Sequence, residues 1–409
     1  MFVERSAGRI RLVRRLFVLC GLVPLIALVA AAVWRQGAAR RGGLEARIAA
    51  ALSLPVSIGS VTDPRPGVML LRDVVIGAAG GGMVSLSRLR VEESAAEIRV
   101  VVEEVECPPD AARVFARLAR TWLEGEYRFR RDWVVDCGRV GWGGAAGAVP
   151  LEQVRVECVA TAGTRAVRLR TTGAGDGDDV RLRRLRDADG AVRHECEARI
   201  GSPVAAAAVA RGLDLAGAPA GRDATFRGEA HLTCTAGVWS GRCAGIVTGL
   251  DLGHLTAGLP DGVDGSATLR VEQAEVRDGR LVEARFECRS PGGTISRRLL
   301  AACIDWLGCR PLRTVAAGAD IPYRHMAWSC RLGEQGLDLV GLGPQGALVA
   351  DDAGPLLGPP IGTMPADRLA WLVSPPGLPV VPASPGTGLL LPWLPIPTAG
   401  AAPSARIGR

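Results

Sequence analysis

The sequence predicts a mainly β protein with a few helices, placed behind one N-terminal membrane helix. Three observations predict it. Leu16 to Val33 reads LFVLCGLVPLIALVAAAV, eighteen residues without a charge, just long enough to cross a bilayer core at 1.5 Å per residue. From about residue 126 to 290 the chain is a succession of short segments in which apolar and charged residues alternate, the period of strands with one wet face. Turn signals divide those segments, among them Asp136-Cys137-Gly138, Gly173 to Asp179, Asp189-Gly190, Asp261-Gly262, Asp264-Gly265 and Asp278-Gly279.

Arg5, Arg9, Arg11, Arg14 and Arg15 precede the apolar run, so residues 1–15 are expected in the cytoplasm and the rest outside it. The length of the run favours a retained anchor over 16–34. A cleavable signal peptide ending near Ala30–Ala32 is the alternative. After the anchor, 43–53 (GLEARIAAALS) reads as a short helix, followed by strands around Val56 and Ile58, VMLLRDVVIG and MVSLSRLRVEE. Ala111 to Leu123 has helical spacing, with Val114, Leu118 and Trp122 on one stripe. The stretches 151–159 (LEQVRVECV), 165–171 (RAVRLRT), 225–234 (TFRGEAHLTC) and 266–273 (SATLRVEQ) put apolar side chains on one face and Arg or Glu on the other. Two helical interruptions are expected, Pro203 to Leu215 and Thr294 to Leu307, the second with Ile295, Leu299, Ala302 and Trp306 on its apolar stripe. The exported β-rich domain is thus read as 43–353. From Gly354 to Arg409 the chain becomes rich in proline and glycine, with thirteen prolines between Pro355 and Pro403. It keeps Leu, Val and Trp, which suits an apolar strap on the strands or a tail that docks elsewhere better than a free linker.

The net charge is +7 and every basic residue is arginine. No basic stripe is interleaved with aromatics, which argues against nucleic acid as a partner. Of eleven cysteines, Cys20 lies in the apolar run and ten remain in the exported part, where disulfides can form. Cys234 and Cys243 are the best bridge candidates, because a hairpin turning at Gly237 to Gly241 would bring them together. The competing reading makes the cysteines small apolar core residues, as the alternation Val154-Val156-Cys158 suggests. His194-Glu195-Cys196 offers three ligand types in a row, but strand neighbours point to opposite faces and do not converge on one ion. Gly173 to Asp179 looks like a calcium loop without its alternating ligands and closing glutamate, and reads as a solvated hairpin tip. Asp305, Asp351 and Asp352 have no partner that would make them acids or bases. The chain carries no GxSxG, P-loop, HExxH or EF-hand pattern. No enzyme, metal or cofactor is expected.

Residues 45–76, EARIAAALSLPVSIGSVTDPRPGVMLLRDVVI, resemble the entry to proteins of the AsmA-like group, relatives of TamB. There a membrane helix and a short amphipathic helix precede a V-x-I-x-x-V strand and an L-x-x-V-x-I strand. The matching residues are Val56, Ile58 and Val61, then Leu71, Val74 and Ile76. The stretch 262–307 is similar to strand-rich C-terminal parts of such proteins, with a G-x-A-x-L-x-V strand before a hairpin, a glycine turn and a helix. The resemblance implies a curved antiparallel sheet forming a groove or incomplete barrel, anchored in the inner membrane with its large domain in the periplasm. It implies handling of phospholipid or another envelope lipid, or outer-envelope assembly with other envelope proteins. Ala267, Leu269 and Val271 share one face of a strand and are the representative groove positions. The alternative is a scaffold, for example of a secretion apparatus, whose sheet packs on itself.

Overall fold

The computed structural model describes residues 23, 38–366, 368 and 369, except 79–81, 109–110, 126–130, 143–148, 162, 172–176, 188, 213–220, 222, 258–261 and 315–319. The membrane run, apart from Val23, and the tail beyond Leu369 lie outside the described residues. Among the described residues, no helix is long and apolar enough to cross a membrane.

Helix α1 (Ala38–Leu52) leads into a series of strands that pair almost entirely with their neighbours in sequence. β1 (Val56–Arg65), β2 (Val68–Ala78), β3 (Gly82–Glu93) and β4 (Glu97–Cys107) form an antiparallel meander. β5 (Asp132–Trp142) then lies parallel to β4. A parallel step needs a crossover, and α2 (Ala111–Glu124) supplies it. Antiparallel pairing resumes through β6 (Leu151–Thr161), β7 (Thr164–Thr171), β8 (Asp179–Arg186), β9 (Val192–Ala205), β10 (Thr225–Thr235), β11 (Val238–Asp251), β12 (Val263–Arg277) and β13 (Arg280–Ser290). Short helices α3 (Ala206–Gly212) and α4 (Leu252–Thr256) interrupt this run. The product is one large sheet, curved and not closed.

At its C-terminal end the sheet gains a second layer. β14 (Gly293–Ser296) pairs with the first residues of β12, and helix α5 (Arg297–Leu307) follows. After β15 (Arg310–Pro311) and β16 (Asp320–Tyr323), β17 (His325–Gly333) returns beside β13. β18 (Gly336–Gly341), β19 (Val349–Asp351) and β20 (Gly354–Gly358) complete that edge. The β-rich unit therefore does not stop at residue 353. Leu356 and Leu357 on β20 are buried, and Met364 bridges to Leu337. Pro355 pairs with Ala350 on this short edge strand, a place where a missing N–H is tolerated.

Two packed clusters hold the ends. In the first, Ile58, Leu71, Val74, Val84 and Val102 lie under Ala111 and Val114 of α2 and Leu44 and Ile48 of α1. In the second, Ala267, Ala284, Cys288, Leu332 and Leu337 meet Leu300 and Leu307 of α5. The inward face of α5 runs through Leu299, Leu300, Cys303, Ile304 and Leu307; of the stripe read in the sequence Ile295 and Leu299 pack in this cluster, while Ala302 and Trp306 give way to Cys303 and Leu307. The helix begins three residues later than its periodicity suggests, because Gly293–Ser296 is a strand and Ser296 caps the helix by accepting from Leu299 N at 3.1 Å.

Asp178 corrects another reading. It is only 3 % exposed, not part of a solvated tip. Its Oδ1 accepts from the backbone N–H groups of Gly201 and Ser202 at 2.8 and 2.9 Å, and its Oδ2 accepts from the Thr171 hydroxyl at 3.2 Å. The register of β9 against β10 shifts near these glycine and serine residues, so the ladder leaves their donors free and the carboxylate takes them.

Candidate functional site

Between the two clusters lies a stretch of sheet whose inner face is apolar: its margins pack against the clusters and against Trp122 of α2, and its centre, around Cys196, Ala198, Ala230 and Leu232, is only half-buried. Cross-strand register builds it in rows. The first row is Val167, Leu182, Cys196, Leu232 and Gly241, running across β7 to β11. The second is Leu169, Val180, Ala198, Ala230, Cys243 and Ala274, reaching β12. Further along the strands, Phe226, Val247, Leu269 and Cys288 form a third. Leu182, Cys196, Ala198, Ala230, Leu232, Cys243, Val247 and Leu269 are all half-buried. Gly228 and Gly245 leave room for the Phe226 ring; a Cβ on Gly245 would stand 2.8 Å from its Cε2.

The opposite face of the same strands is a ladder of ion pairs. Glu157 accepts from Arg155 and Arg170, both at 2.8 Å. Arg168 meets Asp179 at 2.6 Å, and Arg183 meets Glu195 and Glu197 at 2.9 and 2.7 Å. The hydrogen bonds from Arg168 hold the Asp179 carboxyl below the usual carboxylate range. Cross-strand pairs of opposite charge favour this register, and register fixes which side chains face inward.

Ala267, Leu269 and Val271 share the inner face. Ala267, at 2 % exposure, belongs to the packed C-terminal cluster, while Leu269 and Val271 lie half-buried at its border. Exposed apolar surface on this face is therefore centred further back, on β8 to β11.

The proposed bridge between Cys234 and Cys243 is overturned. The hairpin exists, but it turns at Ala236-Gly237, so Cys234 stands opposite Trp239 and Cys243 opposite Ala230. Four residues of offset is roughly 13 Å along a strand, well beyond disulfide reach. Both are free thiols. The inner face also carries Cys158, Cys196, Cys288 and Cys330 as small apolar side chains. Burial pushes the thiols of Cys158 and Cys330 up to about 12 and that of Cys288 up to about 11, which keeps them protonated and unreactive near neutrality.

Of the other sequence candidates, Asp351 pairs with Arg313 and Asp352 with Arg324 in the turn between β19 and β20. Asp305 is exposed on α5. Among the described residues no three His, Cys, Asp or Glu side chains gather as a metal site. Glu195 faces outward to Arg183, away from His194 and Cys196. Two cavities lie at turns on the rim, one lined by Arg65, Glu92, Glu97 and Arg99, the other by Gly293, Tyr323, Arg324 and Asp352.

One feature of the inner face escaped the sequence reading. At the strand ends the rows finish in charge: Arg165 on β7 stands opposite Arg184 on β8, which stands opposite His194 on β9. Cys234 and Trp239 continue the row on β10 and β11. Arg165 donates from Nη1 to Trp122 O at 3.1 Å, and its guanidinium lies 5.9 Å from the Trp122 ring centre. Burial, and then the charge of Arg184, push the His194 imidazole below its usual range, with Glu124 acting the other way. The signal was parity: each of these residues sits two positions from an apolar inward neighbour, Val167, Leu182 or Cys196.

No protein-family model, curated protein or solved structure matches this chain.

Proposed function

We propose that this chain is a non-enzymatic, membrane-anchored envelope protein that handles lipid along the inner face of its sheet. The single observation that carries the reading is the band of half-buried Leu, Val, Ala and Cys side chains across β8 to β11, between two packed ends. A curved, open sheet with a dry inner face and an ion-paired outer face suits acyl chains, whose burial gains about 0.8 kcal/mol per methylene. The AsmA-like character of 45–76 supports the same reading: its six apolar residues stand directly opposite one another, Val56 to Ile76, Ile58 to Val74 and Val61 to Leu71. The anchor, read over residues 16–34, would hold the sheet at the inner membrane with its large domain in the periplasm.

The test is phospholipid co-purifying with the full chain, measured beside thermal melting. Leu232→Asp places a carboxylate in the open band, where it stays hydrated; the variant is expected to melt near the wild type and to lose most of its lipid. Leu337→Asp, at a position 1 % exposed, is expected to unfold the C-terminal cluster, because an unpaired charge is buried there. If Leu232→Asp collapses the fold as Leu337→Asp does, or if wild-type protein carries no lipid, the reading fails. A scaffold role is then the better account, favoured by the closed C-terminal cluster and by β1, which among the described strands pairs only with β2.

A further inference from the structure

We propose that Arg165, Arg184 and His194 form the headgroup end of the apolar band, and that they take the phosphate of an anionic lipid. This rests on the lipid reading above and narrows it to a class of ligand.

The first ground is a juxtaposition of like charges. Arg165 and Arg184 are direct cross-strand neighbours, and Arg184 is the direct neighbour of His194. Like charges at such positions repel and destabilise a sheet. On the outer face of β7 and β8, Arg168, Arg170 and Arg183 each have a carboxylate within 3 Å, and Arg181, opposite Arg168, shares the field of Asp179. On the inner face, Arg184 has no hydrogen-bond or ion-pair partner among the described residues. Glu124, at the end of α2, acts on His194 but makes no ion pair with Arg165 or Arg184 among the described residues, so the two inward arginines exceed the one carboxylate near them, and an anion relieves the repulsion.

The second ground is preorganisation. The Arg165 guanidinium is held by Trp122 O and by the Trp122 ring, and Trp122 is itself only 4 % exposed on α2. That contact uses Nη1; Nε and Nη2 lie beside the Gly125 backbone without a hydrogen-bond acceptor among the described residues. The fork geometry of arginine suits two phosphate oxygens. His194 adds a ring N–H that donates in either charge state.

The third ground is what lies beside the charges. One pleat repeat further along the strands, roughly 7 Å, the row is Val167, Leu182, Cys196 and Leu232, and the next is again apolar. At the charged end, Trp239 is 40 % exposed, the setting in which tryptophan meets a lipid interface. A free phosphate would use the three polar groups and nothing else. An anionic lipid uses both the charged row and the apolar rows.

The experiment takes the full chain, delipidated in a nonionic detergent, and titrates it with phosphatidylglycerol and with phosphatidylcholine of the same acyl composition. Wild type is expected to hold phosphatidylglycerol roughly tenfold tighter, because phosphatidylcholine offers the same phosphate with a choline cation beside it that the two arginines repel. Arg184→Gln should abolish most of that preference, weakening phosphatidylglycerol far more than phosphatidylcholine, and should melt no lower than wild type, since it removes a repulsion. Arg184→Lys should retain most of the preference. Arg270→Gln, an exposed arginine on the outer face of β12, should leave it unchanged. Inorganic phosphate should not compete at concentrations where phosphatidylglycerol saturates. Equal binding of the two lipids by wild type, a preference that survives Arg184→Gln, or a fall in its melting temperature overturns the headgroup site. Competition by inorganic phosphate overturns the lipid as its occupant. Binding of neither lipid overturns the lipid reading itself, which is a different result from the loss of preference.

Discussion

Ala236 and Asp278 occupy equivalent places in two hairpins, and the difference between them decided what the sequence disclosed. Each precedes a glycine, and both pairs adopt left-handed backbone: φ is 52° and 83° at Ala236-Gly237, and 52° and 75° at Asp278-Gly279. Asp-Gly is a strong sequence signal for such a turn, so the β12–β13 hairpin was legible. Ala-Gly is not, because alanine carries a Cβ that opposes this conformation. A turn placed among the later glycines slips the register by four residues and sets Cys234 against Cys243. The same slip had no effect on face assignment, since alternation survives it. Ala236→Asn should relieve the strain and raise stability by about 1 kcal/mol, or roughly 2–4 °C in Tm. Thermal melting of the variant checks this; an unchanged or lower Tm would mean that the turn does not adopt this backbone in solution.

Elements were read more securely than the joints between them. α2 was legible because Val114, Leu118 and Trp122 recur at helical spacing, and they do pack inward. β6, β7, β10 and β12 were legible because charge and apolarity alternate without interruption. The joints failed where one residue type serves two structures. Pro203 to Leu215 is alanine-rich and reads as helix, yet β9 continues to Ala205 and α3 spans only Ala206–Gly212; pairing with β10 overrides the local helix propensity. Gly173 to Asp179 is polar and reads as a wet tip, yet Asp178 is the group that satisfies the irregularity of β9. That role was invisible, because it depends on donors more than twenty residues away. Asp178→Ala should cost about 2–3 kcal/mol by orphaning buried donors to a charged acceptor, whereas Asp178→Asn, which keeps an amide oxygen for Gly201 and Ser202, should cost distinctly less. Denaturant unfolding of both variants decides it: equal stabilities for Ala and Asn would mean that these contacts contribute nothing.

At the scale of the whole molecule the fold is close to one-dimensional. Most strands pair with their sequence neighbours, so stability is expected to follow local packing, much as in repeat proteins. That packing is uneven. β1 to β6 are sealed by α1 and α2, whose Trp122 also reaches Val167 on β7 and Leu182 at the near edge of β8, and β13 and β17 by α5 and the strands around it. β8 to β11 rest on a half-exposed apolar face on one side and ion pairs on the other. Surface ion pairs contribute little, on the order of 0–1 kcal/mol each, so this middle span has the least to hold it. Sub-global opening should begin there. Hydrogen exchange should find the amides of β8 to β11 released well before those of β3, β4, β13 and β17. Added phospholipid should slow the middle strands and leave the ends unchanged, because a ligand protects the part of the structure it completes. Uniform exchange across all strands would show a single cooperative unit and remove the argument for an open band. Protection by lipid at the ends alone would move the binding surface away from β8 to β11. An amphiphile bound where the sheet is weakest would couple cargo to stability: the empty protein would breathe at its centre, and the loaded one would close it.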